Sequence, residues 1–164
     1  MIGLGRMGAN MVKRLMAGGH ECVVNDVNEE PIATLEALGA TGARTLEELV
    51  AAMPAPRHVW IMVPAAFVGA TIDRLAPLLA AGDTIIDGGN SWYRDDIDRS
   101  GPLRDDHGIH YLDVGTSGGV HGLERGYCLM VGGAAAPVRR LDPVVSSLAP
   151  GVAAAARTPA PRRG

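Results

Sequence analysis

A doubly wound α/β domain built on a parallel sheet is the fold this sequence predicts, and three features predict it. Short apolar, partly β-branched runs alternate with helix-period segments along the chain, which requires crossover connections and hence parallel strands. Val59 to Val63 is apolar without a break, the pattern of a strand buried on both faces. Glycine-rich turns follow strand ends, as at Gly3-Leu4-Gly5 and Gly88-Gly89, where close backbone approach favours small residues.

Taken in order, Met1 to Leu4 reads as the end of a strand whose earlier part is truncated, and Met7 to Ala17 as a helix stopped by Gly18-Gly19. Glu21 to Asn25 is a strand. Asn28 caps a helix running to Leu38, with Gly39 at its C-terminal stop. Thr45 and Glu48 form a capping box for a helix reaching about Met53. After the strand at Val59–Val63 come a helix over Thr71 to Leu79, bent at Pro77, and a strand at Thr84–Asp87. Ser100-Gly101-Pro102 interrupts the next helical segment, since proline removes a donor and clashes one turn back. Ile109–Val114 and Tyr127–Val131 are further strands, and Val138, Leu141, Val145 and Leu148 form the stripe of a last amphipathic helix. Residues 1–151 read as one domain, and 152–164, rich in Ala, Pro and Arg, as a disordered tail.

Composition narrows the function. The chain has 164 residues, 47% hydrophobic and 20% charged, which fits one globular domain and argues against disorder. With 4% aromatic residues, the core must be aliphatic, and Met7, Met11 and Met16 read as core filling. The longest uncharged apolar run, Val59 to Ile72, contains Pro64 and Gly69 and is shorter than the roughly 20 residues of a membrane span. The start carries no signal-peptide pattern. A net charge of −3 gives no reason to expect nucleic acid. Cys22 and Cys128 lie far apart and make no metal-type pair, which suits a reducing cytoplasm. No metal is expected: His107 and His110 lack Cys or acidic partners in ligand spacing and read as a solvated loop. Asp95, Asp96 and Asp98 read as a wet helix face.

Gly3, Gly5 and Gly8 match G-x-G-x-x-G as Gly-Leu-Gly-Arg-Met-Gly, between a strand end and a helix. In a Rossmann-type domain the first glycine permits the turn, the second lets backbone approach a pyrophosphate, and the third lets helix and strand pack. The helix N-terminus then offers free N–H groups to the phosphates. Gly3, Leu4, Gly5, Arg6, Met7 and Gly8 are thus candidate cofactor-binding residues. Asp26 ends the second strand 18 residues past Gly8, where a carboxylate binds ribose hydroxyls and repels a 2′-phosphate. With Asn25 beside it and no Arg in the run Asn25-Asp26-Val27-Asn28, NAD is expected in preference to NADP.

Gly-Leu-Gly-Arg-Met-Gly-Ala-Asn-Met (3–11), Ile-Ile-Asp-Gly-Gly-Asn-Ser-Trp-Tyr (85–93) and Thr-Ser-Gly-Gly-Val (116–120) resemble the decarboxylating 6-phosphogluconate dehydrogenases, nearest their short NAD-preferring bacterial branch. The likeness runs over about residues 1 to 151. It implies that Asn90 lies by the nicotinamide and the substrate hydroxyls, and that Val63, Pro64 and Ala65 line the cofactor cleft. It also implies that Ser117, Gly118 and Gly119 hold a sugar-acid phosphate by its carboxylate and hydroxyls.

In that family, a step of the pentose phosphate pathway, hydride passes from C3 to the nicotinamide while a lysine takes the hydroxyl proton. Carbon dioxide is then lost and a glutamate protonates the enediol. The resemblance places both groups, the phosphate-binding residues and the homodimer interface in or near an all-helical second domain that these residues do not match. Lys13, the only lysine, is misplaced for the base, and Glu124 has no matched role. The catalytic residues are therefore unassigned, and turnover by this chain alone is not expected. A stand-alone nucleotide-binding module, a non-functional truncated product and a related 3-hydroxyacid dehydrogenase remain open alternatives.

Overall fold

The computed structural model describes residues 1–151 and Ala154; the disordered tail read at 152–164 lies, Ala154 apart, outside the described residues. Six strands are present: β1 (Val23–Val24), β2 (Thr41–Gly42), β3 (His58–Ile61), β4 (Thr84–Asp87), β5 (His110–Ser117) and β6 (Cys128–Gly133). Seven helices accompany them: α1 (Arg6–Ala17), α2 (Glu29–Glu36), α3 (Leu46–Ala51), α4 (Ala65–Leu75), α5 (Tyr93–His107), α6 (Gly122–Arg125) and α7 (Ala135–Leu148).

The first strand is reduced to one bridging residue. Ile2 pairs in parallel with Asn25 on one side and Ile61 on the other. Its N–H donates to the Trp60 carbonyl at 2.8 Å, and its carbonyl accepts from the Met62 N–H at 2.7 Å. Ile2 thereby joins two pieces of sheet into the spatial order β2-β1-Ile2-β3-β4-β5-β6. The order reverses direction at Ile2, which puts a crevice at the carboxyl ends of the neighbouring strands, as in the Rossmann-type arrangement.

Alternating side chains send the two faces of each strand into two cores. Trp60, Ile86 and Leu112 pack with Met11, Val12 and Leu15 of α1 and Leu141 and Leu148 of α7. Val59, Ile61, Ile85 and Tyr111 pack with Leu49 of α3, Val68 and Ile72 of α4 and Leu103 of α5. Such two-faced burial explains why Val59–Val63, which contains most of β3, reads as an unbroken apolar run. Met11 is fully buried, and Met7 and Met16 pack against the same cluster. Arg14 ties the first helix to the last: its guanidinium donates to the carbonyls of Leu123, Ser147, Leu148 and Ala149 at 2.8–3.1 Å. These carbonyls lie at helix ends, where the ladder supplies no partner within the helix; that of Leu148 also accepts from the Tyr127 N–H at 2.8 Å.

Several elements differ from the sequence reading. Helix α4 begins at Ala65, not Thr71; Ala65-Ala66-Phe67-Val68 is uniformly apolar and hides its period, whereas the bend at Pro77 is a 3₁₀ turn over Ala76–Leu78. Helix α5 runs unbroken through Ser100-Gly101-Pro102. Pro102 is exposed, so the carbonyl one turn back that loses its donor can turn to water. Strand β6 pairs antiparallel to β5, from Leu112↔Gly133 to Ser117↔Cys128. Only residues 118–127 connect the two, too few for a parallel crossover of a dozen or more. His107 ends α5 and His110 opens β5, so they do not share a loop. No helix among the described residues is long and apolar enough to cross a membrane.

Candidate dinucleotide site

The three glycines at the start of α1 occupy three different environments. Gly3 has φ +90° and the Met62 carbonyl oxygen 2.7 Å from where a Cβ would sit, so the turn admits no side chain there. A Cβ on Gly8 would run into the Gly3 carbonyl oxygen. Gly5, by contrast, has φ −59° and open space where its Cβ would point. The sequence assigned these roles in the same order: turn, ligand approach, close packing. Gly5 is the N-cap of α1, no side chain caps that end, and its first turn has no acidic residue. The first N–H groups of the helix are therefore left for an outside acceptor, at the positive end of its dipole.

A cleft of about 1170 Å³ opens in front of this turn. Gly3, Gly5, Arg6, Met7, Gly8, Asn25, Asp26, Val63, Pro64 and Asn90 all line it. Leu4 and Ala65 lie outside the lining: Leu4 is buried in the core and Ala65 opens α4. Ser117 ends β5 and Gly118 and Gly119 follow it. The part of this segment that reaches the cleft is Gly115 and Thr116.

Asp26 links the turn to β1. Its Oδ2 accepts from the Leu4 N–H at 2.6 Å, and its Oδ1 accepts from the Asn28 N–H at 2.9 Å. Asn28, expected to cap α2, makes no side-chain cap bond and points its amide back to Asp26 at 3.3 Å. A carboxylate has about four acceptor positions, so Asp26 retains capacity for a hydroxyl.

Asn90 sits at φ +60°, a left-handed conformation that asparagine tolerates better than most residues. The carboxylate of Asp87 brackets it, accepting from the Gly89 N–H at 2.8 Å and the Ser91 hydroxyl at 2.6 Å. Behind Asp87 lies a buried polar cluster. The Tyr111 hydroxyl is 3.0 Å from Asp87 Oδ2 and 2.8 Å from Asp96 Oδ1. Arg99 Nη1 stands 3.6 Å from Asp87 and 3.5 Å from Asp96, distances of ion pairing, not hydrogen bonding. One hydroxyl proton cannot serve two carboxylates at once, which favours the neutral form of one of them. Burial, reinforced by the neighbouring Asp87, pushes the Asp96 carboxyl up to about 6. The wet-face reading is thus corrected for Asp96, which is 5% exposed: it faces β5 while Asp98 faces water.

Arg44, Phe67 and Arg74 are among the cleft residues that escaped the sequence reading. Phe67, the only phenylalanine, is 62% exposed and gives an apolar wall. Arg44 was findable. Val24 pairs with Gly42, so the parallel register carries Asp26, two residues on, alongside Arg44.

The switch-point crevice, the glycine turn and the uncapped helix together define a dinucleotide-binding domain of the dehydrogenase type. The NAD binding domain of 6-phosphogluconate dehydrogenase matches residues 1–156, and the chain belongs to that family. A Haloferax volcanii NAD(+)-dependent, decarboxylating 6-phosphogluconate dehydrogenase is 40% identical over 152 residues, covering 92% of this chain and 50% of that protein. Among solved structures, Plasmodium falciparum 6-phosphogluconate dehydrogenase superposes with a TM-score of 0.85 at 28% identity, over 93% of this chain and 34% of that one. Mycobacterium tuberculosis 3-hydroxyisobutyrate dehydrogenase gives 0.82 at 28% identity, over 91% and 50%. The chain therefore spans half or less of each of these relatives.

Proposed function

We propose that this chain supplies the nicotinamide-dinucleotide site of a dehydrogenase that oxidises and decarboxylates 6-phosphogluconate, with NAD preferred over NADP. The observation that carries the reading is the uncapped N-terminus of α1 facing the cleft across Gly5, the one fingerprint glycine with open space before it. The bound cofactor would supply the hydride acceptor. The protein's own part is to seat the pyrophosphate on the α1 N–H groups, to offer Asp26 to the adenosine ribose, and to hold Asn90 where hydride donor and acceptor meet. Ser117, Gly118 and Gly119, next to Gly115 and Thr116, would grip the sugar acid.

Proton transfer is a separate matter. Among the described residues, the cleft lining includes no lysine, histidine or glutamate, and Lys13 lies outside it on α1. A positioned acid or base is typically worth roughly 10²–10⁴-fold, so this chain should bind cofactor without useful turnover. Calorimetric titration with NAD and NADP, followed by an NADH absorbance assay with 6-phosphogluconate or 3-hydroxyisobutyrate, tests both halves. Tighter binding of NADP would overturn the cofactor preference. Turnover of about 1 per second or more, the low end of ordinary enzymes, would overturn the division of labour.

A further inference from the structure

The register of β1 and β2 brings an arginine to the place where a 2′-phosphate would lie, and the question is what that arginine does. Arg44 lines the cleft together with Asp26, Asn28 and Thr45. A free guanidinium there would favour NADP, because a planar fork binds phosphate oxygens in pairs. It is not free. Its two terminal nitrogens each donate to one oxygen of Glu36, both at 2.7 Å, and its Nε stands 3.7 Å from Glu29. The Glu36 carboxyl is held below the usual range by the Arg44 hydrogen bond, and the guanidinium is raised by the same pair. Its own backbone N–H donates to Glu48 Oε2 at 2.6 Å. Glu29, Glu36 and Glu48 thus surround a single arginine at this end of the cleft.

We infer that Glu36 and Glu29 form a charge lock on Arg44, and that this lock, together with Asp26, sets the choice between the two dinucleotides. Glu36 reaches Arg44 from the last residue of α2, outside the cleft lining. It acts by withholding a phosphate-binding fork, and touches no cofactor itself. Opening the lock should turn Arg44 into a 2′-phosphate ligand. The pair is partly exposed, with 42% and 35% of the two side chains accessible, so the expected effect is toward the low end for a charge-assisted hydrogen bond.

The inference rests on the cofactor site proposed above, and one set of titrations separates the two. NAD and NADP are titrated calorimetrically against the native chain, Glu36→Gln, Glu36→Ala, and the double variants Glu36→Gln/Arg44→Gln and Glu36→Gln/Arg74→Gln. The native chain should prefer NAD. Either single variant should bind NADP about tenfold more tightly, with NAD affinity within about twofold, and the gain should shrink as salt screens the new contact. Removing Arg44 should erase the gain, whereas removing Arg74, the other missed cleft arginine, should not. An unchanged NADP to NAD ratio in both single variants overturns the lock while leaving the cofactor site intact, and so does a gain that survives loss of Arg44. If the native chain binds neither dinucleotide, the site and the lock fall together.

Discussion

Two turns, one after Ile2 and one after β4 with β3 between them, face the same cleft, and they are built on opposite principles. The turn from Gly3 to Gly8 has its shape fixed by backbone packing. Gly3 is pressed against Met62 and Gly8 against Gly3, and the α1 N–H groups are left open. In the turn from Asp87 to Ser91, side chains do the fixing. One carboxylate grips both sides of Asn90 and is backed by Tyr111, Asp96 and Arg99. The first turn gives its Gly3 and Leu4 N–H groups to Asn25 and Asp26 and keeps the α1 N–H groups for a ligand. The second uses a carboxylate, an N–H and a hydroxyl to hold one residue. A binding loop can therefore be rigid at no cost in free donors only where glycine allows backbone to meet backbone.

The sharpest way to break the first turn is to separate its glycines. Gly8→Val drives a branched side chain into the Gly3 carbonyl and should cost about 3 kcal/mol or more, as overpacking and backbone displacement do. Gly5→Val points into open cleft, at φ −59°, and should change stability by less than about 1 kcal/mol. Its NAD affinity should still fall by about 100-fold, since the valine occupies the pyrophosphate seat. Urea unfolding beside calorimetry reads both. Retained NAD binding in Gly5→Val would show that its open space is not the ligand seat.

Breaking the second turn needs a polar change. Asp87→Asn keeps the shape but leaves one oxygen where two had accepted from Gly89, Ser91 and Tyr111. It should cost about 2 kcal/mol, in line with losing hydrogen bonds to a buried charged group. It should also loosen Asn90, visible as faster amide exchange at residues 88–91. If Asn90 exchange is unchanged, the bracket is packing and not the carboxylate.

The smallest effect is a pH dependence confined to the second turn. Asp96 titrates at about 6 when folded against about 4 when unfolded. The folded state thus holds the extra proton between these values, and stability is full below about 4 and declines as pH rises to about 6. The facing groups are Asp87 on β4, Tyr111 and Asp113 on β5, and Asp95 and Arg99 on α5. Asp96→Asn should flatten the melting temperature across that window, removing a decline of about 4 °C. A native melting temperature that does not fall from pH 4 to pH 6 would refute the shared proton.

The contrast between the turns also explains what the sequence made legible. Some features announce themselves by residue type: the glycine spacing, the apolar run of Val59–Val63 and the stripe of α7 were all readable. Features built by side chains from distant strands were not. Asp96 looked solvent-facing because Asp95, Asp98 and Arg99 around it are charged, and its partner Tyr111 is 15 residues away. Arg44 lay 18 residues beyond Asp26, invisible until the register of two very short strands was known. The antiparallel turn of β6 depended on a connection length that periodicity does not encode.

The bonds from Arg14 to the carbonyls of Ser147, Leu148 and Ala149 bear on the order in which this chain can fold. They close a loop of more than 130 residues, and they do so from the same helix whose first turn faces the dinucleotide. During synthesis α1 leaves the ribosome more than 130 residues before Ser147, Leu148 and Ala149, so this part of its docking must wait for them. Contacts of such sequence separation slow folding because chain closure precedes any reward. The Arg14 end of α1 is thus fastened later than the nucleotide turn at its other end, whose own contacts reach only to Asn25, Asp26 and Met62.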